Sequence, residues 1–258
     1  MKKVLSILAV IAMLFCFAGC SEQTPVIVAE KESAGEAVAQ GLEGYSYTAV
    51  DTQAKAIMEV ASGTADAAII DYVMSIGSIG EGTDYANLVV TGEGYSPESY
   101  GIAFRKGSDA TAKVNEAIAT LLENGKLKEI AKNYKLDELI TANDSFDAFE
   151  QAENSDWEYI KNKGELVIGI TYFAPMNYKN DAGELVGFET EFAKAVCEEL
   201  GVEAKFQEIS WSAKETELAA KNIDCIWNGM TITEERQEAM SITIPYMTNK
   251  QVMVVKEK

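Results

Sequence analysis

Apolar and polar positions along this chain follow two alternating rhythms. Short apolar runs bounded by glycine, proline or acidic residues predict strands at residues 25–29, 45–50, 67–70, 166–168, 204–208, 225–227 and 251–255, with another in "SYGIAFRKGSD". Between them, 3.6-residue spacing predicts helices opening at Ser33, at 53–61, across 112–134 with a break at Asn124–Gly125, at 188–200 and at 213–220. In the helix at 188–200, Phe188, Phe192, Val196 and Leu200 recur at every fourth position, so one stripe faces a core. Ser33 with Glu36, and Ser155 with Glu158, have capping-box spacing. Residues 77–99, rich in Gly, Ser and Glu, read as a loop, and residues 135–155, acidic and weakly periodic, read as a connector with some helical turns. Alternating strands and helices predict an α/β fold whose mostly parallel sheet is covered on both faces.

One layout occurs twice. "QAKAIMEVASGTADAAIID" and "SAKETELAAKNIDCIWNG" each give a helix, a polar turn and an aspartate that opens a strand. Five residues beyond those aspartates, Asp66 and Asp224, come Asp71 and Gly229. Both positions fall at the carboxyl end of a predicted parallel strand, where open α/β sheets bind ligands.

The front of the chain follows a different rule. Lys2 and Lys3 precede an apolar run, residues 4–18, which is short for a membrane span and suited to a signal peptide. The run ends in Phe17-Ala18-Gly19-Cys20, which resembles a bacterial lipoprotein cleavage box, so a lipid at Cys20 is expected; the alternative is ordinary cleavage without an anchor.

The remainder carries ample apolar content, 47% of all residues, for real cores. Its formal charge of −19, more negative still once Lys2 and Lys3 are removed, argues against nucleic acid and against a basic membrane-binding face. With no histidine, His-based metal sites and His general-base triads are excluded, and no cofactor or metal is implied. Cys197 and Cys225 read either as a disulfide or, the favoured reading, as two buried thiols.

The strand ends gather a consistent chemistry. In "NGMTITEERQEAM", Gly229 allows close backbone approach, Thr231 offers a hydroxyl and an N–H, and Arg236 offers a planar guanidinium suited to a carboxylate. The helix beginning at Ser33 presents N–H groups of the same use, and Asp71 supplies the opposite sign. Together they read as a clamp for a zwitterion, Arg236 and Ser33 on the carboxylate and Asp71 on the ammonium, with Phe173 and Trp211 stacking on the side chain. Each has a plainer reading: Arg236 as a surface ion pair beside Glu234, Glu235 and Glu238, Asp71 as a helix N-cap, the aromatics as ordinary core.

These residues resemble a family, the polar amino-acid substrate-binding proteins of ABC importers, with the type II periplasmic binding-protein fold. "GELVIGITYFAPMNYKNDAGELVGFETEFAKAV" resembles its first strand, turn and helix, and "IDCIWNGMTITEERQEAMSITIPYMTNKQVMVV" its most specific stretch. "GTADAAIIDYVM" and "YGIAFRKGSDATAKVNEAIATLLENGKLKEIAKNY" resemble the ligand strand of the second lobe and the end of the family's chain. The resemblance implies two lobes, each a mixed, mostly parallel sheet flanked by helices, with the ligand between them. It places Phe173 and Trp211 on the ligand side chain, Gly229 and Thr231 in backbone contacts, Arg236 and Ser33 on the carboxylate and Asp71 on the ammonium. Met176, where an aromatic is common, and Lys31-Glu32, in place of a Gly-hydroxyl pair, depart from the pattern. Ile170-Thr171-Tyr172 lacks the acid often found in binders of basic amino acids, which favours a neutral polar ligand.

The order of the halves is exchanged relative to the family, which implies a circular permutation. The expected organisation is a lipoprotein signal peptide at 1–20, a small lobe at 24–97, a hinge strand with helices of the large lobe at 98–134, the connector at 135–155, and the rest of the large lobe at 156–258. Only one covalent crossing, near 99–102, would then join the lobes, with residues 251–255 pairing to the start of the small lobe. The expectation is a lipid-anchored, monomeric, non-enzymatic protein on the outer side of the cell membrane that captures a free amino acid and passes it to an ABC permease. The alternatives are a dehydratase-like enzyme on the same fold and a receptor module acting in trans on a membrane signalling partner.

Overall fold

The computed structural model describes residues 24–141 and 155–257. The expected signal peptide at 1–20, Cys20, and residues 142–154 of the expected connector lie outside the described residues. No helix among the described residues is long and apolar enough to cross a membrane.

From the amino end the elements run β1 (Val26–Glu30), α1 (Ala34–Gly41), β2 (Ser46–Val50), α2 (Gln53–Ser62), β3 (Ala67–Asp71), α3 (Tyr72–Ser78) and β4 (Leu88–Arg105). Then come α4 (Ala110–Glu123), α5 (Lys126–Asn133), α6 (Asp156–Lys163), β5 (Glu165–Ile170), a small hairpin of β6 (Tyr178–Lys179) and β7 (Leu185–Val186), and α7 (Phe188–Leu200). The chain closes with β8 (Glu203–Glu208), α8 (Lys214–Ala219), β9 (Cys225–Thr231), α9 (Glu234–Ala239), β10 (Met240–Ile242) and β11 (Met247–Lys256). Two expectations for this stretch need correction. Residues 77–99 are not one loop: α3 ends at Ser78 and β4 begins at Leu88. The last strand pairs with β3, from Gln251↔Asp71 to Val255↔Ala67, and not with the opening strand.

The strands form one sheet in the order β2-β1-β3-β11-β4-β9-β5-β8, with β10 added to β4. Each flank is parallel, β2-β1-β3 on one side and β9-β5-β8 on the other. Between them β11 and β4 run antiparallel to their neighbours. At 18 residues β4 is long enough, roughly 60 Å if extended, to serve both flanks: Leu88–Thr91 pair with the end of β11, and Tyr100–Phe104 with β9. Helices pack on the sheet, and every residue of β3 and β9 is buried, the polar Asp71, Asn228 and Thr231 included.

The repeated aspartates have a structural basis. Asp66 accepts the Val26 N–H at 2.7 Å and donates its own N–H to the Val26 carbonyl at 2.9 Å. Asp224 does the same to Val167, at 2.8 and 2.7 Å. Each aspartate therefore fixes the start of its strand against the start of the parallel neighbour, and so sets where the opposite strand ends fall. Asp224 is buried and held by Lys163 at 2.6 Å, with Arg105 at 3.7 Å, which compensates its charge.

In α7 the stripe seen in the sequence packs as an aromatic cluster. Phe192 meets Trp227 edge-on at 5.0 Å between ring centroids and Tyr246 at 5.4 Å, with Phe188 stacked at 5.8 Å. Gly187 at its N-cap has φ +130°, and a Cβ there would stand 2.2 Å from the Met176 carbonyl oxygen, so no other residue fits. Cys197 and Cys225 are buried free thiols, and burial pushes the Cys197 thiol up to about 12.

Candidate ligand-binding site

The carboxyl ends of the two parallel flanks converge on the β11–β4 pair. On one flank β3 ends in Asp71, which is 5% exposed. Its carboxylate accepts from Gln53 Nε2, from Asn249 Nδ2 and, at 2.8 Å, from Gln251 Nε2, while its N–H donates to Gln53 Oε1 at 2.8 Å. Asp71 occupies the N-cap position of α3 but makes no capping hydrogen bond with its side chain. The plain capping role therefore does not account for its burial. Burial raises its pKa, against the hydrogen bonds from Gln53, Gln251 and Asn249.

Those partners lead across the β11–β4 pair. Asn249 and Gln251 also donate to Glu98 Oε2, at 3.1 and 3.2 Å, and Thr231 Oγ1 donates to the same oxygen at 3.1 Å. Burial, then the neighbouring Asp71, raise the Glu98 carboxyl. The Thr231 carbonyl in turn accepts from Arg236 Nη1 at 2.8 Å. A continuous polar chain thus joins the anion at the end of β3 to the guanidinium beyond β9, although Asp71 and Arg236 do not touch.

Arg236 lies in α9, whose N-cap Thr233 accepts the Arg236 N–H at 3.2 Å. Burial lowers its pKa, while Glu98, Glu215 and Asp71 act the other way. Its guanidinium carbon stands 5.9 Å from the centre of the Trp211 ring, and Nη2 reaches the Glu32 carbonyl at 3.4 Å. Trp211 Nε1 donates to that same carbonyl at 3.2 Å. Glu32 has φ +59°, an uncommon conformation for a residue with a side chain, and it sits where the sequence departs from the Gly-hydroxyl pair. This carbonyl brings the two flanks into contact over the strand ends.

Ser33 is placed next to that contact with its bonds already in use. Its Oγ donates to the Glu30 carbonyl at 2.7 Å and accepts the Glu36 N–H at 3.1 Å, and its N–H points to Glu30 O at 3.3 Å. Glu36 Oε2 accepts the Glu32 N–H at 2.6 Å, closing the capping box one residue earlier than the usual reciprocal bond. Phe173 and Gly229 are in contact. Gly229 has φ +56°, and a Cβ there would stand 2.7 Å from Phe173 Cε1 and 3.3 Å from Tyr100 Cζ. The Gly229 N–H donates to Glu189 Oε1 at 2.8 Å; this buried carboxyl, also bonded by Tyr246 and Asn177, is pushed up to about 7 by burial.

Two cavities lie beside this contact, Glu32 lining one and Trp211 the other. One, about 460 Å³, is lined by Ser33, Glu36, Lys214 and Arg236. The other, about 780 Å³, is lined by Asp51, Thr171, Tyr172 and Trp211. The sequence reading thus assembles Trp211, Thr231 and Arg236 directly, and Phe173 with Gly229. It missed Gln53, Asn249 and Gln251, which hold Asp71, Glu98, which accepts from the last two, and also Glu30 and Lys214. Glu30 ends β1, buried, and Lys214 places its ammonium 4.9 Å from the centre of the Trp211 ring.

Charges of both signs thus stand at the carboxyl ends of the two parallel sheet flanks, the place where open α/β sheets commonly hold ligands. Residues 166–258 match the family model of bacterial extracellular solute-binding proteins, family 3. The chain is similar to the L-cystine-binding protein TcyJ of Escherichia coli (strain K12), 35% identical over 88 residues, 34% of this chain and 33% of that protein. It is also similar to the histidine-binding periplasmic protein of the same organism, 36% identical over 85 residues, 33% of each chain. Among solved structures, a polar amino acid ABC uptake transporter substrate binding protein from Streptococcus thermophilus is 36% identical, covering 33% of this chain and 32% of that one, with a TM-score of 0.31. The matches to these two curated relatives span about a third of their length.

Proposed function

We propose that this protein is an exported, lipid-anchored solute-binding protein that grips a free amino acid between the two sheet flanks and delivers it to an ABC permease. The observation that carries the reading is the polar chain from Asp71 through Asn249, Gln251, Glu98 and Thr231 to Arg236. It holds an anion and a cation apart at facing strand ends, which is the charge pattern of a zwitterion. Arg236 takes the carboxylate and Asp71 the ammonium; Phe173 and Trp211 border the side chain, and Gly229 and Thr231 contribute backbone. The Glu32 carbonyl, bound by Arg236 and Trp211, occupies one acceptor position that a ligand carboxylate would take. Ser33 serves the site by fixing the start of α1 beside it. Ligand contacts from both flanks favour the closed arrangement and shift the population toward it.

In this reading residues 24–97 form the small lobe, and 98–134 with 156–258 form the large one, in permuted order. One pairing supports the permutation: Ala67 is flanked by Ile27 of β1 on one side and Val255 of β11 on the other. The end of β11 and the start of β1 therefore lie about 10 Å apart, two strand spacings, so a direct link between them is short. Lipid attachment is assigned to Cys20.

Calorimetric titration of the mature protein with the twenty amino acids tests the function. At least one amino acid binds the wild type, and Arg236→Ala and Asp71→Asn each weaken it by about 2–5 kcal/mol, roughly 30- to 4,000-fold. Unchanged affinity in both variants removes the clamp. Turnover of a bound amino acid would instead support the enzyme alternative.

A further inference from the structure

The clamp uses buried Asp71 and half-buried Arg236 and leaves two buried charges at the strand ends unused. Glu30 ends β1, the second strand out from the β11–β4 pair on one flank. Lys214 follows β8, the outermost strand of the other flank. Both are buried, Glu30 to 5% and Lys214 to 3% exposure. Among the described residues they form no ion pair: Lys214 stands over Trp211, with the Glu32 carboxylate at 4.0 Å. Among the same residues, buried Glu30 Oε1 has no hydrogen-bond partner. A buried acceptor of that kind calls for a donor.

The sheet order arranges the four charges as two crosswise pairs. Nearer the β11–β4 pair stand Asp71 and Arg236, and farther out stand Glu30 and Lys214, in each case the acid on the β1–β3 side and the base on the β9–β8 side. Glu30 and Asp71 are close enough to repel, and Gln53 lies between them. Lys214 and Arg236 repel in the same way on the opposite flank. We infer that Glu30 and Lys214 read the far end of the ligand side chain, and that they select an end which offers a donor and an acceptor together and carries no net charge. This rests on the zwitterion clamp, because a head group held by Asp71 and Arg236 directs the side chain outward between Glu30 and Lys214. An ammonium end would satisfy Glu30 but face Lys214, and a carboxylate end would satisfy Lys214 but face Glu30. A carboxamide, a ureido group or a second zwitterion satisfies both. Like-charge juxtaposition in a desolvated site disfavours the charged ends.

Competition calorimetry at pH 8.5, above the value of about 8 to which burial pushes Glu30, on the full mature protein with glutamine, citrulline, cystine, glutamate, lysine and arginine tests this. Wild type binds at least one of the first three tenfold or more tightly than any of the last three; which one wins distinguishes carboxamide, ureido and second zwitterion. Lys214→Met raises lysine relative to that ligand by tenfold or more, and Glu30→Gln raises glutamate likewise, while Lys214→Arg keeps the wild-type ranking. Thermal unfolding confirms that each variant is folded. A wild-type preference for lysine, arginine or glutamate overturns the inference while leaving the clamp intact, as does a ranking that neither variant alters. Absence of binding by every amino acid overturns the clamp and this inference with it.

Discussion

Replacing Glu30 by glutamine should change how stability depends on pH. Burial, followed by the nearby Asp71, pushes the Glu30 carboxyl from 4.5 up to about 8, and Lys214 and Gln53 only partly oppose this. A group whose pKa is higher folded than unfolded binds its proton more tightly in the folded state. Its contribution is fully present below pH 4.5 and is lost as pH rises through about 8. At 1.36 kcal/mol per pH unit, that interval corresponds to roughly 5 kcal/mol, a large part of a typical domain's stability. Glutamine keeps the shape and the neutral hydrogen-bonding character of the protonated acid but has no proton to lose. Urea unfolding of ligand-free protein at intervals from pH 5 to pH 9 should therefore show wild type falling by several kcal/mol more than Glu30→Gln. The two curves should lie close together at pH 5 and diverge steadily above it. Parallel curves across the range would refute the placement of Glu30 as a buried, unneutralised acid.

Three other outcomes follow from named contacts. Gly229→Ala forces a left-handed backbone on a residue with a Cβ and drives that Cβ into Phe173, so denaturant unfolding should show a loss of roughly 2–4 kcal/mol; a loss under 0.5 kcal/mol would contradict the contact. Ser33→Ala removes the α1 cap and should lower stability by about 1 kcal/mol, measured the same way. Ser33→Gly should cost only a few tenths, and equal losses would point to a role beyond capping. Cys20→Ala should move the protein from the membrane fraction to the soluble one when it is expressed in a bacterial host, and continued membrane association would remove the lipid assignment.

The elements that were legible in the sequence are those whose pattern is set by burial on a fixed period. α7 was readable to its ends because its apolar stripe runs between two glycines, and β3 and β5 because parallel strands buried on both faces are continuous apolar runs. β4 defeated the same logic. Gly92, Gly94 and Pro97 read as loop residues, yet the strand continues through them because β11 pairs along it with shifts of register near Gln251. Asn249 and Gln251 were hidden for a related reason: on a strand that ends the chain they look like solvated positions, and only the pairing with β3 and β4 buries them against Asp71. Glu30 and Lys214 sit in "AEKES" and "SAKETE", charged stretches that read as surface. No local pattern distinguishes a charge at a strand's carboxyl end from one on a helix face; the sheet order does.

The central claim is that Arg236 and Asp71 hold the two ends of one zwitterion. The most direct measurement is a calorimetric comparison of the preferred amino acid with its decarboxylated and deaminated analogues, in wild type, Arg236→Ala and Asp71→Asn. Wild type should bind both analogues far more weakly than the amino acid. Arg236→Ala should lose the discrimination against the decarboxylated analogue alone, and Asp71→Asn that against the deaminated one alone. Discrimination that survives in both variants would contradict the account.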